Sequence, residues 1–132
     1  MKVITRDTNN GGSLQEVPLS EFSGYTIQPF IRIYSENDIS HNTTVKDCIS
    51  ELEGKIELIG SPIDIVTLSE FDWAEVGFRI NDTSIDVAKL NDMVICWYDE
   101  ENNVIVPQAT CINYEDKTVH ATVPHFSKYF LT

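Results

Sequence analysis

The sequence predicts a mainly β protein, an antiparallel β-sandwich with one short helix. The chain has 132 residues, which is the size of one ordinary domain. Runs rich in β-branched and aromatic residues recur about every 8–12 residues, as the strands of a sandwich do, and tight turns separate them. Because no internal repeat and no long linker divides the sequence, we expect residues 1–132 to form a single β-sandwich domain.

The first part of the chain is expected to carry little regular structure. Residues 1–16 are predicted to be a flexible or irregular leading segment, in which a short strand gives way to a loop at 7–16. An Asn-Asn-Gly-Gly run is the turn signal of this loop, since both residue types tolerate positive φ. The run 25–34 then predicts a strand, in which Pro29 indicates an edge position or a bulge.

The best helix candidate covers residues 43–53. Asn42 or Thr43 can cap its start, and Gly54 can end it in the left-handed conformation. Four apolar residues in this range recur at the spacing of one helical face: Val45, Cys48, Ile49 and Leu52.

The rest of the chain alternates between apolar and polar residues, which is typical of strands. Two strands, 55–59 and 63–68, are predicted on either side of a Gly-Ser-Pro turn at 60–62. Residues 87–90 predict a single helical turn, and 99–103 predict the tip of a hairpin. The remaining predicted strands are 73–80, 93–98, 104–106, 109–114, 118–123 and 128–131.

The charge balance excludes two classes of partner. Nine Lys and Arg residues oppose 21 Asp and Glu residues, which gives a formal net charge of −12. Such a charge repels phosphate backbones and anionic lipid surfaces, so we expect no nucleic-acid partner. No apolar run approaches the roughly 18 residues of a membrane span, so we expect no membrane insertion by this chain. Cation binding or a basic partner also fits the charge, but solubility is its simplest explanation.

The cysteines do not predict a disulfide framework. Cys48, Cys96 and Cys111 form no CxxC pair, and their odd number excludes complete pairing. We expect buried thiols, with a bridge between Cys96 and Cys111 on neighbouring strands as the alternative.

No pattern in the sequence indicates a cofactor or a metal ion. A Gly-rich phosphate loop, an HExxH motif and a GxSxG motif are all absent from it. The acidic run 99–103 lacks the alternating ligands and the central Gly of an EF-hand loop. His41 is expected in a loop and His120 on a strand face, so a histidine metal site is not expected.

One short segment has side chains that could carry chemistry. His125, Phe126 and Ser127 follow Pro124 at the start of the last predicted strand. The Ser127 hydroxyl could attack the Phe126 carbonyl in an N-to-O acyl shift, giving an ester that water cleaves. His125 could act as general base or acid, because imidazole titrates near neutrality. Alternatively, His125 and Ser127 hydrogen-bond at the strand start, Phe126 and Tyr129 pack in the core, and nothing is cut.

Four stretches of the sequence carry a family resemblance: Gly60–Ile65, Phe71–Val76, Ile95–Asn103 and Val123–Tyr129. They resemble a β-sandwich module of bacterial surface proteins, common in clostridia and often found next to von Willebrand factor A-type domains. Those modules are similar in turn to the ZU/UPA-type domains of ankyrins, netrin receptors and the death-domain protein PIDD. The resemblance covers about residues 55–132, and its most specific parts are Trp-Tyr-Asp-Glu and the closing His-Phe-Ser-x-Tyr.

The resemblance implies a noncatalytic structural or interaction module of a larger extracellular bacterial surface protein. Its partners would be neighbouring domains of the same polypeptide or another surface protein. Some members of the family cut themselves between Phe and Ser of this motif, so the alternative is a single-turnover autoproteolytic domain. In that case the resemblance makes Ser127 the nucleophile, His125 the general base or acid, and Phe126 the carbonyl donor.

A third hypothesis is a carbohydrate-binding sandwich, since exposed aromatic faces stack on sugars. Trp73, Trp97 and the tyrosines are its candidate residues. An exposed, coplanar pair of aromatic rings would support it, whereas two Trp residues in a domain are more often core anchors.

Overall fold

The computed structural model of the chain describes residues 12–52 and 54–132, and β-strands are the main secondary structure of this part. The strands are β1 (Ser13–Glu16), β2 (Ile27–Ser35), β3 (Thr43–Asp47), β4 (Ile59–Thr67), β5 (Trp73–Ile80), β6 (Ile95–Asp99), β7 (Val104–Pro107), β8 (Cys111–Asn113), β9 (Thr118–Val123) and β10 (Lys128–Leu131). They form two antiparallel sheets of five strands each. Sheet A has the order β1-β2-β5-β9-β8 and sheet B the order β3-β4-β10-β6-β7. The predicted mainly β sandwich is confirmed.

The hydrophobic core lies between the two sheets. Side chains of a strand alternate between its two faces, so every second residue points inward. In β5, Ala74, Val76 and Phe78 are fully buried, whereas Glu75 between them is only half-buried on the outer face. Sheet B contributes its inward residues in the same way: Ile63, Ile65, Ile95, Tyr129 and Leu131.

Several predicted elements have the expected positions. Three strands have the predicted bounds: Trp73–Ile80, Thr118–Val123 and Lys128–Leu131. The helical turn is a 3-10 segment at Val87–Asp92, and further 3-10 segments lie at Ser20–Phe22 and Ser40–Asn42. Asn103 ends the predicted hairpin tip with a φ of 54°. Pro29 lies in β2 beyond the end of β1, where one described strand flanks it, as expected of an edge position.

The helix predicted for residues 43–53 is wrong in its first half. Thr43–Asp47 instead forms β3 and pairs antiparallel with β4. The β-branched residues Thr43 and Val45 are buried, and Thr44 between them is exposed. Burial therefore alternates as in a strand and does not follow one face of a helix. The α-helix α1 spans Ile49–Leu52, and Gly54 has a φ of +83°, the left-handed conformation predicted for the helix end.

The prediction of an irregular leading segment is also corrected. Residues 1–11 lie outside the described part of the chain. Ser13–Glu16, which that prediction included, forms β1 and pairs with β2. The Gln15 amide donates to Ser35 Oγ over 2.8 Å, and its carbonyl oxygen accepts from the Ile39 N–H over 2.7 Å. Because these partners are far away in sequence, local turn chemistry could not reveal this strand.

The turn predicted at 60–62 is a bend within one strand. β4 runs without interruption from Ile59, so the strand predicted at 55–59 begins only at its last residue. Gly60 has a φ of +73°, and the pairing of β4 with β10 shifts register at this point. The glycine therefore supplies a bulge rather than a hairpin turn.

Phe30 is buried on the outer face of sheet A rather than in the core. It lies opposite Gly77 of β5, and the guanidinium groups of Arg32 and Arg79 lie 4.7 and 5.5 Å from its ring centre. These two cation–π contacts cover a ring that water would otherwise reach. Gly77 is required opposite the ring, because a Cβ added at this position would overlap the ring atoms.

Replacing Gly77 by Ala is expected to lower the free energy of unfolding by about 1–3 kcal/mol, because the Phe30 ring must leave its place between the arginines. Urea denaturation followed by circular dichroism measures the change. Gly24→Ala is the matched control, since no atom beyond the two adjacent residues lies within 4 Å of a Cβ added there. A loss of stability as large in Gly24→Ala would contradict the packing explanation.

Buried residues also occur on the outer face of sheet B. Phe130 and Cys96 are cross-strand partners there, and both are almost fully buried outside the core between the sheets. Cys48 and Leu52 are each 1% exposed and also lie outside that core. Since α1 contacts β4, we infer that α1 and the residue before it cover this face.

The cysteine predictions are correct in part. Cys48 and Cys96 are buried, and burial, together with the charges of Glu51 and Asp64, raises the pKa of Cys48 to about 12. Cys111 is exposed on β8, contrary to the expectation of a buried thiol. The alternative bridge is wrong, because Cys96 and Cys111 lie in different sheets and both are free.

Candidate functional site

The site is an open cleft lined by two connections that cross between the sheets. One connection leads from β4 in sheet B to β5 in sheet A, and the other from β9 in sheet A to β10 in sheet B. The cleft has a volume of about 500 Å³ and is lined by Asp64–Thr67, Ser69–Phe71 and Pro124–Ser127. The structure therefore brings the three predicted site residues, His125, Phe126 and Ser127, to one surface.

The His125 side chain is exposed at the cleft, and the side of its ring that faces the protein contacts Trp97 and Tyr129. Its ring meets the ring of Trp97 edge-on, with centroids 4.6 Å apart. Its Nδ1 atom lies 3.4 Å from the Tyr129 hydroxyl oxygen. Trp97 packs against the core, so one side of the His125 ring rests on a core residue while the side chain stays exposed at the cleft.

Tyr129 fixes the backbone of the connection. Its hydroxyl donates a hydrogen bond of 2.7 Å to the carbonyl of His125, four residues upstream. The Tyr129 side chain is completely buried, and burial raises its pKa well above the usual value, so the phenol stays protonated. A tyrosine that reaches back to the backbone where the chain changes sheets has the form of a tyrosine corner.

Phe126 and Ser127 are held from the side of β4. The Phe126 ring stacks on Phe71 of the β4–β5 connection, with centroids 4.5 Å apart. The carbonyl of Ser127 accepts a hydrogen bond of 3.0 Å from the Ile65 N–H. The Phe126–Phe71 contact thus joins the two crossing connections, and the Ser127 carbonyl joins the second connection to β4.

The predicted nucleophile, Ser127, and the predicted base, His125, lie close together in the chain, but their side chains are not hydrogen-bonded to each other. Among the described residues, no hydrogen bond joins the side chains of His125 and Ser127. Left-handed backbone in the described part of the chain occurs at Gly54, Gly60, Asn103 and Lys117, none of which lies in this segment. The Phe126–Ser127 bond therefore shows neither a hydrogen-bonded base nor left-handed backbone strain.

Lys128 is a charged group at this site that the sequence analysis did not identify. Its ammonium group lies 2.7 Å from Glu100, 3.5 Å from Glu51 and 3.6 Å from Asp64, while its side chain is only 9% exposed. Burial lowers the pKa of an ammonium group, but the hydrogen bond to Glu100 and the three negative charges outweigh it and raise the pKa of Lys128. One buried cation thus joins α1, β4, β10 and the β6–β7 hairpin.

Both tryptophans, which were candidates for a sugar-binding surface, pack against other side chains of the domain. Trp73 stacks face to face on the buried Tyr34, with centroids 5.5 Å apart. Trp97 packs against the core, and its indole N–H is buried. In the two stacked pairs of the described ranges, each ring covers one face of the other, so neither pair presents two ring faces side by side.

No group of three or more His, Cys, Asp and Glu side chains within 12–52 and 54–132 is placed to hold a metal ion. No helix in this part is both long and apolar enough to cross a membrane.

The fold and this site define a β-sandwich whose inter-sheet connection is fixed by a buried tyrosine. Comparison of the chain with protein-family models, with curated proteins and with solved structures found no match.

Proposed function

We propose that the chain is a noncatalytic structural or interaction module of a larger extracellular bacterial surface protein. The observation that carries the proposal is the role of the His-Phe-Ser-x-Tyr motif in packing. Tyr129 binds the His125 carbonyl, His125 packs on Trp97, and Phe126 packs on Phe71. The side chains of His125, Phe126 and Tyr129 thus stabilise the connection by which the chain passes from sheet A to sheet B.

The location and partners in this proposal depend on the resemblance of residues 55–132 to bacterial surface modules. Such modules connect or present other domains, so the partners proposed here are neighbouring domains of the same polypeptide or another surface protein. The net charge of −12 agrees with a highly soluble module.

Intact mass under denaturing conditions tests the noncatalytic part of the proposal. We expect the 15.0 kDa chain to keep its full mass after incubation over a range of pH, and Ser127→Ala to behave identically. Denaturation is needed because β10 lies between β4 and β6 and would stay bound after a cut before Ser127. Loss of residues 127–132 that Ser127→Ala abolishes would contradict the proposal.

Self-cleavage is the second candidate function, and one observation favours it. The Phe126–Ser127 bond lines an open cleft, where water could reach an ester formed on the Ser127 oxygen. His125 is exposed at the same cleft and could donate a proton to the leaving amine. The mass measurement separates the two functions, because the uncut and cut chains differ by six residues.

A further inference from the structure

One lateral side of the sandwich is built by a segment without charge. Residues 102–114 contain no Asp, Glu, Lys or Arg, although the chain carries a net charge of −12. They supply β7 and β8, the outermost described strands of sheets B and A, which lie on the same side because only 108–110 separate them. Edge strands are usually protected by charges, by Pro or by being short; β7 has four residues and ends in Pro107, but it carries no charge. On the opposite side, β3 has Lys46 and Asp47.

The backbone groups of Ile105 in β7 face away from the sheet. The Gln108 N–H donates to the Ile95 carbonyl, which makes these residues a hydrogen-bonded pair of the β6–β7 ladder. Bonded pairs alternate in an antiparallel ladder, so the backbone groups of Val104 and Val106 also face β6. No described strand lies beyond β7, so the N–H and carbonyl of Ile105 are open to another strand.

The side chains of this edge are apolar and exposed. Val104 and Ile105 are each 46% exposed and follow one another on this edge strand. Together with the open backbone groups, they form a surface suited to strand pairing.

We propose that a second copy of this chain pairs with β7 in antiparallel orientation, about a two-fold axis at Ile105. In this register Ile105 exchanges two hydrogen bonds with Ile105 of the second copy. Val104 lies opposite Val106 of the second copy, so the pairs across the axis are apolar. Pro107 lacks an N–H, but its carbonyl still accepts a hydrogen bond.

The arrangement of charge favours this orientation over a parallel one. The acidic tip 99–101 lies at one end of β7, and the uncharged connection 108–110 lies at the other. Antiparallel pairing places each acidic tip beside the uncharged connection of the second copy, and parallel pairing would place the two tips together. The remaining repulsion between two copies of charge −12 is long-range, so salt should strengthen the dimer.

Analytical ultracentrifugation over a range of protein concentrations tests the proposal. We expect a reversible dimer whose association constant rises between about 20 mM and about 500 mM NaCl, because salt screens the net charges. A chain that stays monomeric at about 0.5 mM protein in the higher salt would overturn the proposal. So would a dimer that salt weakens, since attraction between charges would then hold it together.

The variant Ile105→Pro removes an N–H that does not bond to β6. We expect about ten-fold weaker dimerisation, because two hydrogen bonds across the axis lose their donors. Leu68→Pro is the matched control, since Leu68 is 98% exposed outside the strands and its variant should dimerise like the original chain. Equal dimerisation of Ile105→Pro would overturn the register.

A crosslink tests the register without relying on the folding of a proline variant. Ile105→Cys in a Cys111→Ser background should form a disulfide between copies, because the two residues at the axis have Cα atoms about 5.5 Å apart. Leu68→Cys in the same background should not. Failure of Ile105→Cys to crosslink faster than Leu68→Cys would overturn the proposal, and the noncatalytic function would stand because the intact mass tests it separately.

Discussion

Replacing Tyr129 by Ala is expected to lower the free energy of unfolding by about 3–5 kcal/mol, the cost of removing a large buried ring. The side chain is completely buried, and its hydroxyl also holds the His125 carbonyl. Tyr129→Phe keeps the ring and removes only this hydrogen bond, so it should cost about 1 kcal/mol. Urea denaturation, monitored by tryptophan fluorescence and circular dichroism, gives both values.

The pair of variants separates packing from the hydrogen bond. Tyr114→Ala is the control, because Tyr114 is 52% exposed and its hydroxyl bonds to Asn91 at the surface. We expect a change within about 0.5 kcal/mol there. If Tyr129→Phe were as damaging as Tyr129→Ala, the hydroxyl rather than the ring would dominate. If both variants were neutral, the corner would not stabilise the fold.

Replacing Lys128 by Met is expected to lower the free energy of unfolding by about 2–3 kcal/mol at neutral pH, because three carboxylates lose their common cation. The loss is smaller than for a fully enclosed ion pair, since Glu51 and Glu100 are half exposed. The raised pKa of Lys128 means that its stabilisation is complete below the unfolded pKa, near 10.4, and is lost only as the pH rises through the higher folded pKa.

Chemical denaturation at neutral pH measures the Lys128→Met effect in full. Lys89→Met is the matched control, since Lys89 is exposed and has no described salt bridge. We expect that variant to change stability by no more than about 0.5 kcal/mol. A Lys128→Met effect of the same size as the control would show that the charge cluster contributes nothing to stability.

Sequence patterns predicted the strands whose burial is local and periodic. In β5 and β9 apolar residues alternate with polar ones closely enough that their bounds could be predicted from apolar spacing, whereas β10 is a short run in which all four residues are buried. β3 was missed because the apolar residues of a short strand, of the following residue and of the next helix happen to combine into one helical spacing, although Ile49 among them is exposed. The pairing of β3 with β4, which decides between the two, joins residues about 20 positions apart along the chain.

The candidate site was predicted as a segment but not as an arrangement. The sequence places His125, Phe126 and Ser127 side by side, yet the contact of Tyr129 with His125 arises only where the chain changes sheets. The charge cluster of Lys128 was not predictable for a different reason: its carboxylates come from α1, β4 and the β6–β7 hairpin, which are distant from Lys128 in the sequence. Tertiary convergence of this kind leaves no local spacing in the sequence.

The position of β10 in sheet B has a consequence for synthesis on the ribosome. β10 lies between β4 and β6, so the β3–β4 pair and the β6–β7 pair share no ladder until residues 128–131 have been made. The β3–β4 pair and the β6–β7 pair therefore cannot form one sheet, and their apolar faces stay partly exposed, until β10 pairs with both. Folding of this sheet is expected to be late and cooperative, and the nascent chain depends on its acidic charge to remain unaggregated in the meantime.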